Sequence, residues 1–539
     1  MIHLILNNQF VCMLLIFSAA LLVTEKFISI EAKRMLRIAA VCGGVCISLC
    51  VLLCVVNVFR PGLLFEDEAN VLSIASAYFH GQPMYTVSNS DTLYSLMYGP
   101  ATYLIYLPIL DKFQHPIFFL HIQVLLAEIG NIVALYFLLR RQLPVLQAVS
   151  IMALAIAVLM QAPNYLFGVR GDMFLLLCIS WALYLVTGRR RLFMEIAAGM
   201  LCGIAIDLKI TIAAVVFLLL GIVYFRHGRR AMLSAAAATF VSAISIFLLP
   251  RISLRNYIYI LLDVARMRIE WDILSIILIT SFLFLAPLLF LEMSARREKI
   301  YKALNIQSVI YIALGGAALL ACIVSGSKTG GGPWHLWPML PFVIYCVAYE
   351  LAMQLQISSL QSYRKMTCVF LALVLAYTGI TLRLIPRCFH DVYLKYELQR
   401  HKDQENAEEE MISILQRQMK WKKNITMAYG KNLNDYRSNL RFELVQAGQK
   451  YFFDGNEVII TYQEHLQLPD PVINRILSCE DLWLVPHGEE PFSSSRHGLL
   501  DDSTTPYVFP DEVRLQFMVK HNILVNGQNY DLWGCNNTN

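Results

Sequence analysis

Charge is what this chain lacks. Only 15% of its 539 residues are Asp, Glu, Lys or Arg, against about 25% in soluble domains, and the mean hydropathy is +0.55. That deficit excludes an ordinary soluble enzyme and points to a polytopic membrane protein. The formal net charge of +5 is small for the length, and the basic residues come in short clusters between apolar runs, which excludes a nucleic-acid partner. Zinc-site cysteine spacing is also missing. Most of the 13 cysteines, among them Cys42, Cys46, Cys50, Cys54, Cys178 and Cys202, lie inside apolar runs as small hydrophobes. Cys388, Cys479 and Cys535 lie outside them and allow at most one bridge, with the pairing left open. The glycine-rich "SGSKTGGGPWHLWP" fails the G-x-x-x-x-G-K-[ST] pattern and follows no strand, so an ATP site is excluded. No internal repeat or low-complexity tract is present.

Apolar runs, in contrast, are abundant. A spanning helix needs about 20 apolar residues. Candidate spans fall near 10–24, 37–59, 117–139, 145–161, 172–187, 192–206, 210–225, 231–249, 272–292, 306–324, 338–354 and 367–386, about twelve in all. Alternate loops carry Lys26, Lys33 and Arg34; Arg140 and Arg141; Arg189 to Arg191; Arg226, Arg229 and Arg230; Arg296, Arg297, Lys299 and Lys302; Arg364 and Lys365. The positive-inside rule makes these loops cytoplasmic and the intervening ones external. The first span leaves the N-terminus outside, and no small-residue cleavage site follows it, so a removable signal peptide is not expected. After about residue 387 the character changes. A polar, helix-like segment leads to β-like runs such as "KYFFDGNEVIITY", "CEDLWLVP" and "YVFPDEVRLQFMV". The expected architecture is an α-helical polytopic membrane part, residues 1–389, with an external loop at 60–116. A soluble external α+β domain follows over 390–539.

The unusual polar residues fall at the external ends of spans: Glu66, Asp67, Glu68, Arg170, Asp172, Asp207, Lys209, Lys328 and His335. The middles of the spans are almost free of ionisable groups. A transporter would place charges near mid-membrane, so this pattern favours chemistry at the outer interface. Each residue also has a structural reading. Asp67 fits the N-cap of a helix over about 68–80, with Glu68 near its positive end. Arg170 and Lys209 suit a lipid phosphate, or serve as interfacial anchors. Trp334 and Trp337 fit an aromatic belt. Tyr85, Tyr94, Tyr98, Tyr103 and Tyr106 suit a sugar or prenyl chain, or interface packing. Three acids without a further ligand set make a weak divalent-cation site.

"FEDEANVLSIASAYFHGQPMY", "YGPATYLIYLP", "GVRGD", "DLKIT" and "GGPWHLWPMLPF" together carry a resemblance. Over roughly 37–386 the chain resembles the GT-C superfamily of integral membrane glycosyltransferases. Within it, the chain is similar to protein O-mannosyltransferases and lipid A aminoarabinose and galacturonic acid transferases. The resemblance implies a polyprenyl-phosphate-linked sugar donor, an external active site and inverting transfer to a glycan, lipid or protein acceptor. It implies Asp67 as the base that activates the acceptor, with Glu68 beside it. "EDE" in place of a simple "DE" leaves Glu66 as a rival, and the Asp-Glu order favours Asp67. Arg170, Lys209, Lys328 and His335 are expected at the donor phosphate, with His335 matching loosely and Lys328 placed by its charge. Asp172, Tyr85 and Tyr98 are expected at the substrate. The reading needs no cofactor and leaves a divalent metal open. Its setting is a bacterial inner membrane. The competing reading is a transporter or flippase of lipid-linked or anionic substrates.

Overall fold

The computed structural model describes residues 31–60, 62–63, 66–86, 90–113, 116–297, 306–328, 330–357, 360–389, 400–418, 423–431, 436–454, 468–494 and 509–535. The first expected span, near 10–24, lies outside the described residues. Each of the other eleven coincides with a helix. Eight of these are long and apolar enough to cross a membrane: Ala32–Val58, Ile117–Arg140, Ile210–His227, Arg229–Leu248, Trp271–Glu292, Val309–Gly326, Pro333–Gln354 and Thr367–Pro386. The three shorter ones are Val145–Leu159, Asp172–Val186 and Leu192–Leu208, of 15, 15 and 17 residues. At 1.5 Å per residue they are shorter than a hydrocarbon core of about 30 Å. Val145–Leu159 and Asp172–Val186 are wrapped on most sides, with Ile151 to Ile156, Leu176, Ile179 and Leu183 buried, whereas Leu192–Leu208 keeps an exposed face at Phe193, Ile196 and Met200.

Small residues set the closest helix contacts, as expected where lipid removes the hydrophobic drive between helices. Gly199 and Gly203, one turn apart, face the Arg229–Ser245 helix. A Cβ on Gly199 would lie 2.2 Å from the Ala235 carbonyl oxygen, and one on Gly203 would lie 2.5 Å from that of Thr239. The two backbones therefore touch. This G-x-x-x-G pair went unnoticed in the sequence.

The two ends of the bundle differ as the loop charges suggest. At one end Arg141 donates to the Thr187 hydroxyl (3.0 Å) and Arg226 to the Thr187 carbonyl (2.9 Å), so three basic loops meet. At the other end lie the acidic loop, Arg170, Lys209 and His335. The middles are less clean than expected. Glu128 is buried in the centre of Ile117–Arg140 and accepts from the Cys54 thiol at 3.6 Å.

The acidic loop forms a helix, Glu66–Phe79. It begins earlier than the sequence suggests, so Asp67 lies in the first turn and is not the N-cap. All three acids then sit where free N–H groups and the helix dipole favour negative charge. "PRISLRNYIYILLDVARMRIEWD", read as a loop, contains a helix, Leu254–Arg266, whose start is capped by the Ser253 hydroxyl accepting from the Asn256 N–H at 3.2 Å.

Beyond the membrane part, a helix Arg400–Gln418 precedes a four-stranded sheet: β1 (Asn424–Met427), β2 (Asp481–Pro486), β3 (His521–Asn526) and β4 (Tyr530–Cys535). The order is β1-β2-β4-β3. β1 runs parallel to β2, and the other two pairs are antiparallel. Trp483, Phe453, Phe492, Phe509 and Phe517 form its aromatic core. One β-like run is corrected: "DEVRLQFMVK" is a helix, Asp511–Lys520. Its apolar alternation imitates a strand, yet Val513 and Phe517, four apart, are the buried pair. The Asp511, Glu512 and Lys520 charges suit helix ends. In "KYFFDGNEVIITY" the described part, 450–454, makes a single parallel bridge from Phe453 to Leu93, and the remainder lies outside the described residues.

Cys479 and Cys535 form a disulfide across a separation of 56 residues, tying the start of β2 to the end of β4. A loop of this size restricts the unfolded chain by about 4 kcal/mol. Replacing both cysteines by serine should lower the unfolding free energy of the C-terminal part by about that much, read as a lower urea midpoint by tryptophan fluorescence.

Candidate active site

The three consecutive acids point three ways, because successive helical residues are rotated by about 100°. Each meets a different arginine. Glu66 is buried and faces Arg441 of the C-terminal part, at 3.8 Å. Asp67 pairs with Arg170. Glu68 is fully buried, lies 3.5 Å from Arg60 and accepts the Val169 N–H at 2.6 Å. Side-chain exposure separates them: 7% for Glu66, 0% for Glu68 and 24% for Asp67. Asp67 alone of the three remains open to a substrate. Burial pushes the Glu66 carboxyl well above the usual range, with Arg441 opposing the shift.

Arg170 is the hub. Besides Asp67, it donates through Nε to Asp172 at 3.1 Å and through Nη2 to the Tyr98 hydroxyl. Its guanidinium lies over the Tyr165 ring at 4.3 Å, and Tyr165 stacks on Trp334 with centroids 3.4 Å apart. Burial would pull the Arg170 pKa down, but Tyr98, Asp67 and Asp172 outweigh it and hold the group well above its usual value. Asp172 also accepts from Lys209 Nζ at 3.3 Å, and Lys209 lies 3.3 Å from His335 Nε2. Ser325 holds the other ring nitrogen of His335 at 3.2 Å. Asp67, Arg170, Asp172, Lys209 and His335 thus form one connected chain of polar contacts. Two formal negative charges on Asp67 and Asp172 balance two positive ones on Arg170 and Lys209, which is how so much charge is tolerated with little solvent.

Backbone contacts bring the separate motifs together. Gly99 N–H donates to the Leu208 carbonyl at 3.2 Å, and the Thr102 hydroxyl donates to the same oxygen at 2.9 Å. The Tyr106 hydroxyl reaches the Arg170 carbonyl at 2.9 Å. "YGPAT" is thereby the clasp between "GVRGD" and "DLKIT". Gly99 is required by closeness, since a Cβ there would lie 1.8 Å from the Asp207 carbonyl oxygen.

Two expected residues lie elsewhere. Lys328 donates to the carbonyls of Val264 and Ala265, at 3.0 and 2.8 Å, and so caps the end of the Leu254–Arg266 helix. Tyr85 is buried and donates to the Tyr98 carbonyl at 2.8 Å, which makes it a support of the Tyr98 loop. The acids do not converge into a cation site. The metal-compatible set among the described residues is Cys50, Cys54 and Glu128, whose ligand atoms lie within 4.8 Å of one another in the buried bundle. Arg60, Tyr165 and Arg441 were not singled out from sequence. Arg60 ends a span beside "EDE" and carried the readiest signal.

Carboxylates and cations are thus gathered at span ends, beside the loop helix Glu66–Phe79 and Arg441 of the C-terminal part. Residues 96–340 match the model of Glycosyltransferase family 87. That stretch contains Tyr98, Arg170, Asp172, Lys209 and His335 and starts after the acidic helix. The fold is similar to that of ArnT from Cupriavidus metallidurans bound to undecaprenyl phosphate: TM-score 0.51 and 13% identity over 92% of this chain and 98% of that one. Against the same protein in the apo state the TM-score is 0.50, at 12% identity over 91% and 97%. The arabinosyltransferase EmbB from Mycobacterium smegmatis aligns over 66% of this chain and 41% of its own, with TM-score 0.36 and 13% identity, too remote to weigh. A comparison with curated protein sequences gives no match.

Gly99→Ala should lower the melting temperature in detergent, at a cost of about 1–3 kcal/mol for overpacking. Gly44→Ala, with nothing within 4 Å of its added Cβ, should be neutral or stabilising.

Proposed function

We propose that the protein transfers a sugar from a polyprenyl-phosphate-linked donor to a glycan, lipid or protein acceptor at the external face of the membrane, with inversion. Residues 1–389 are the membrane catalytic part and 390–539 an external soluble domain. The setting is a bacterial inner membrane. The observation that carries the reading is the position of Asp67, the one accessible acid of its triplet, bonded to an arginine that also heads a cationic cluster.

The prenyl chain lies along the spans, in hydrocarbon. Its phosphate takes the guanidinium fork of Arg170 and the ammonium of Lys209, with His335 alongside. These cations also stabilise the charge that develops as the sugar–phosphate bond breaks. Phosphate on Arg170 releases Asp67 from its ion pair. Asp67 then accepts the proton of the acceptor hydroxyl or amine as that group attacks the sugar carbon, opposite the departing phosphate. Asp172 keeps Lys209 and Arg170 oriented. Glu68, tied to the Val169 N–H, holds the helix against the Arg170 loop.

A flippase would need ionisable groups along a path through the bundle. Glu128 is the nearest to that description, and it is buried with one oxygen accepting from the Cys54 thiol.

Asp67→Asn, at normal membrane levels, should reduce transfer from a polyprenyl-phosphate sugar extract by about 10²–10⁴-fold, with donor-lipid binding retained. Near-normal transfer would remove Asp67 as the base. For the orientation, a reporter fused after residue 390 should be active outside the cytoplasm, and activity inside would reverse the topology.

A further inference from the structure

Arg441 belongs to the soluble part, yet its guanidinium is buried at the start of the acidic helix, only 2% exposed. Nη2 donates to the Glu66 carbonyl at 3.1 Å and to the Asn70 side-chain oxygen, 375 and 371 residues away in sequence. The same group lies 3.8 Å from the Glu66 carboxylate. Nη1 is held from behind by the Ser438 carbonyl at 2.8 Å. Glu66 and Asn70 are one helical turn apart and flank Asp67, so one guanidinium grips the turn that carries it.

The grip is part of a broad seat. Gln82 exchanges two hydrogen bonds with the Tyr451 backbone, at 2.9 and 2.8 Å. Leu93 exchanges two backbone hydrogen bonds with the 452–454 segment, at 2.9 and 2.8 Å. Gln446 donates to the Phe113 carbonyl at 3.2 Å, and Arg475 reaches Asp91 at 2.8 Å. Arg441 is the arginine in this seat that touches the acidic helix.

We infer that Arg441 is a positioning residue for Asp67, and that the soluble domain sets the register of the acidic helix against the Arg170 cluster. The inference rests on Asp67 being the base. A buried arginine with fixed acceptors holds its target more tightly than an exposed loop would hold itself, and a displacement of about 1 Å at a reacting group costs about 10²-fold in rate. The domain is therefore needed for chemistry even when the acceptor makes no contact with it.

The test uses the full-length protein in detergent or nanodiscs, with a polyprenyl-phosphate sugar extract as donor. Arg441→Met should lower kcat by about 10²-fold while leaving KM for the lipid donor within about twofold. Arg441→Lys should restore part of kcat. In an Asp67→Asn background, Arg441→Met should cause no further loss, because two residues acting through one step are not additive. Arg475→Ala, which breaks the same seat away from the helix, should leave kcat unchanged. If Arg441→Met does not accumulate, Asn70→Ala removes one acceptor of the grip and should give a smaller drop in kcat of the same kind. Normal kcat in Arg441→Met or Asn70→Ala, with Asp67→Asn inactive, overturns the positioning role and leaves the base intact. A full additional loss in the Asp67→Asn background also overturns it. Normal kcat in Asp67→Asn removes the base reading and this inference with it.

Discussion

A carboxylate removed from water must find a cation, and the fold of this protein is arranged around that requirement. Glu66, Asp67 and Glu68 stand in one turn of helix and would repel one another if left unpaired. Arg441, Arg170 and Arg60 answer them from the soluble part, from the loop before Asp172 and from the end of the first described span. Breaking one buried pair by removing a single partner costs about 3–5 kcal/mol, because the other charge is stranded. Three parts of the chain are thus pinned to a three-residue stretch. The tyrosine-rich loop, the Gly99 clasp and the seat of the soluble domain fall into place around it.

The spans were legible in the sequence because hydropathy and loop charge are properties of single segments. Each described span found its helix near the expected residues, and three of the basic loops met at one end. What the sequence hid was pairing. Arg441 sits in "NLRFELV", an ordinary amphipathic fragment, and its acceptors lie about 370 positions upstream. Lys328 illustrates the reverse case. Its charge and its place at a span end suggested phosphate, but the ends of a helix also need donors, and its ammonium serves the last carbonyls of Leu254–Arg266. The strand-like "VRLQFMV" misled because an alternating pattern of four apolar residues satisfies both periods, and the flanking Pro510 and charges decide for a helix.

The triplet posed a choice between Glu66 and Asp67 that residue order alone argued weakly. Burial separates the three acids by physical means: two are occupied in holding the helix, and the third has access. The division of labour places a structural acid on each side of the proposed base. It also accounts for a run of acids at the membrane lip: on the proposed reading one carboxylate serves the chemistry and two anchor it.

The balanced charges of the Arg170 cluster have a kinetic side. Asp67 and Asp172 occupy the same guanidinium that the proposed donor phosphate would use. On the proposed reading, a spent lipid phosphate would compete for Arg170 with two carboxylates fixed within reach, at an effective concentration no dissolved anion can match. The resting ion pairs would then act as a built-in displacer. They would weaken the hold on a spent carrier and return the site to its starting state.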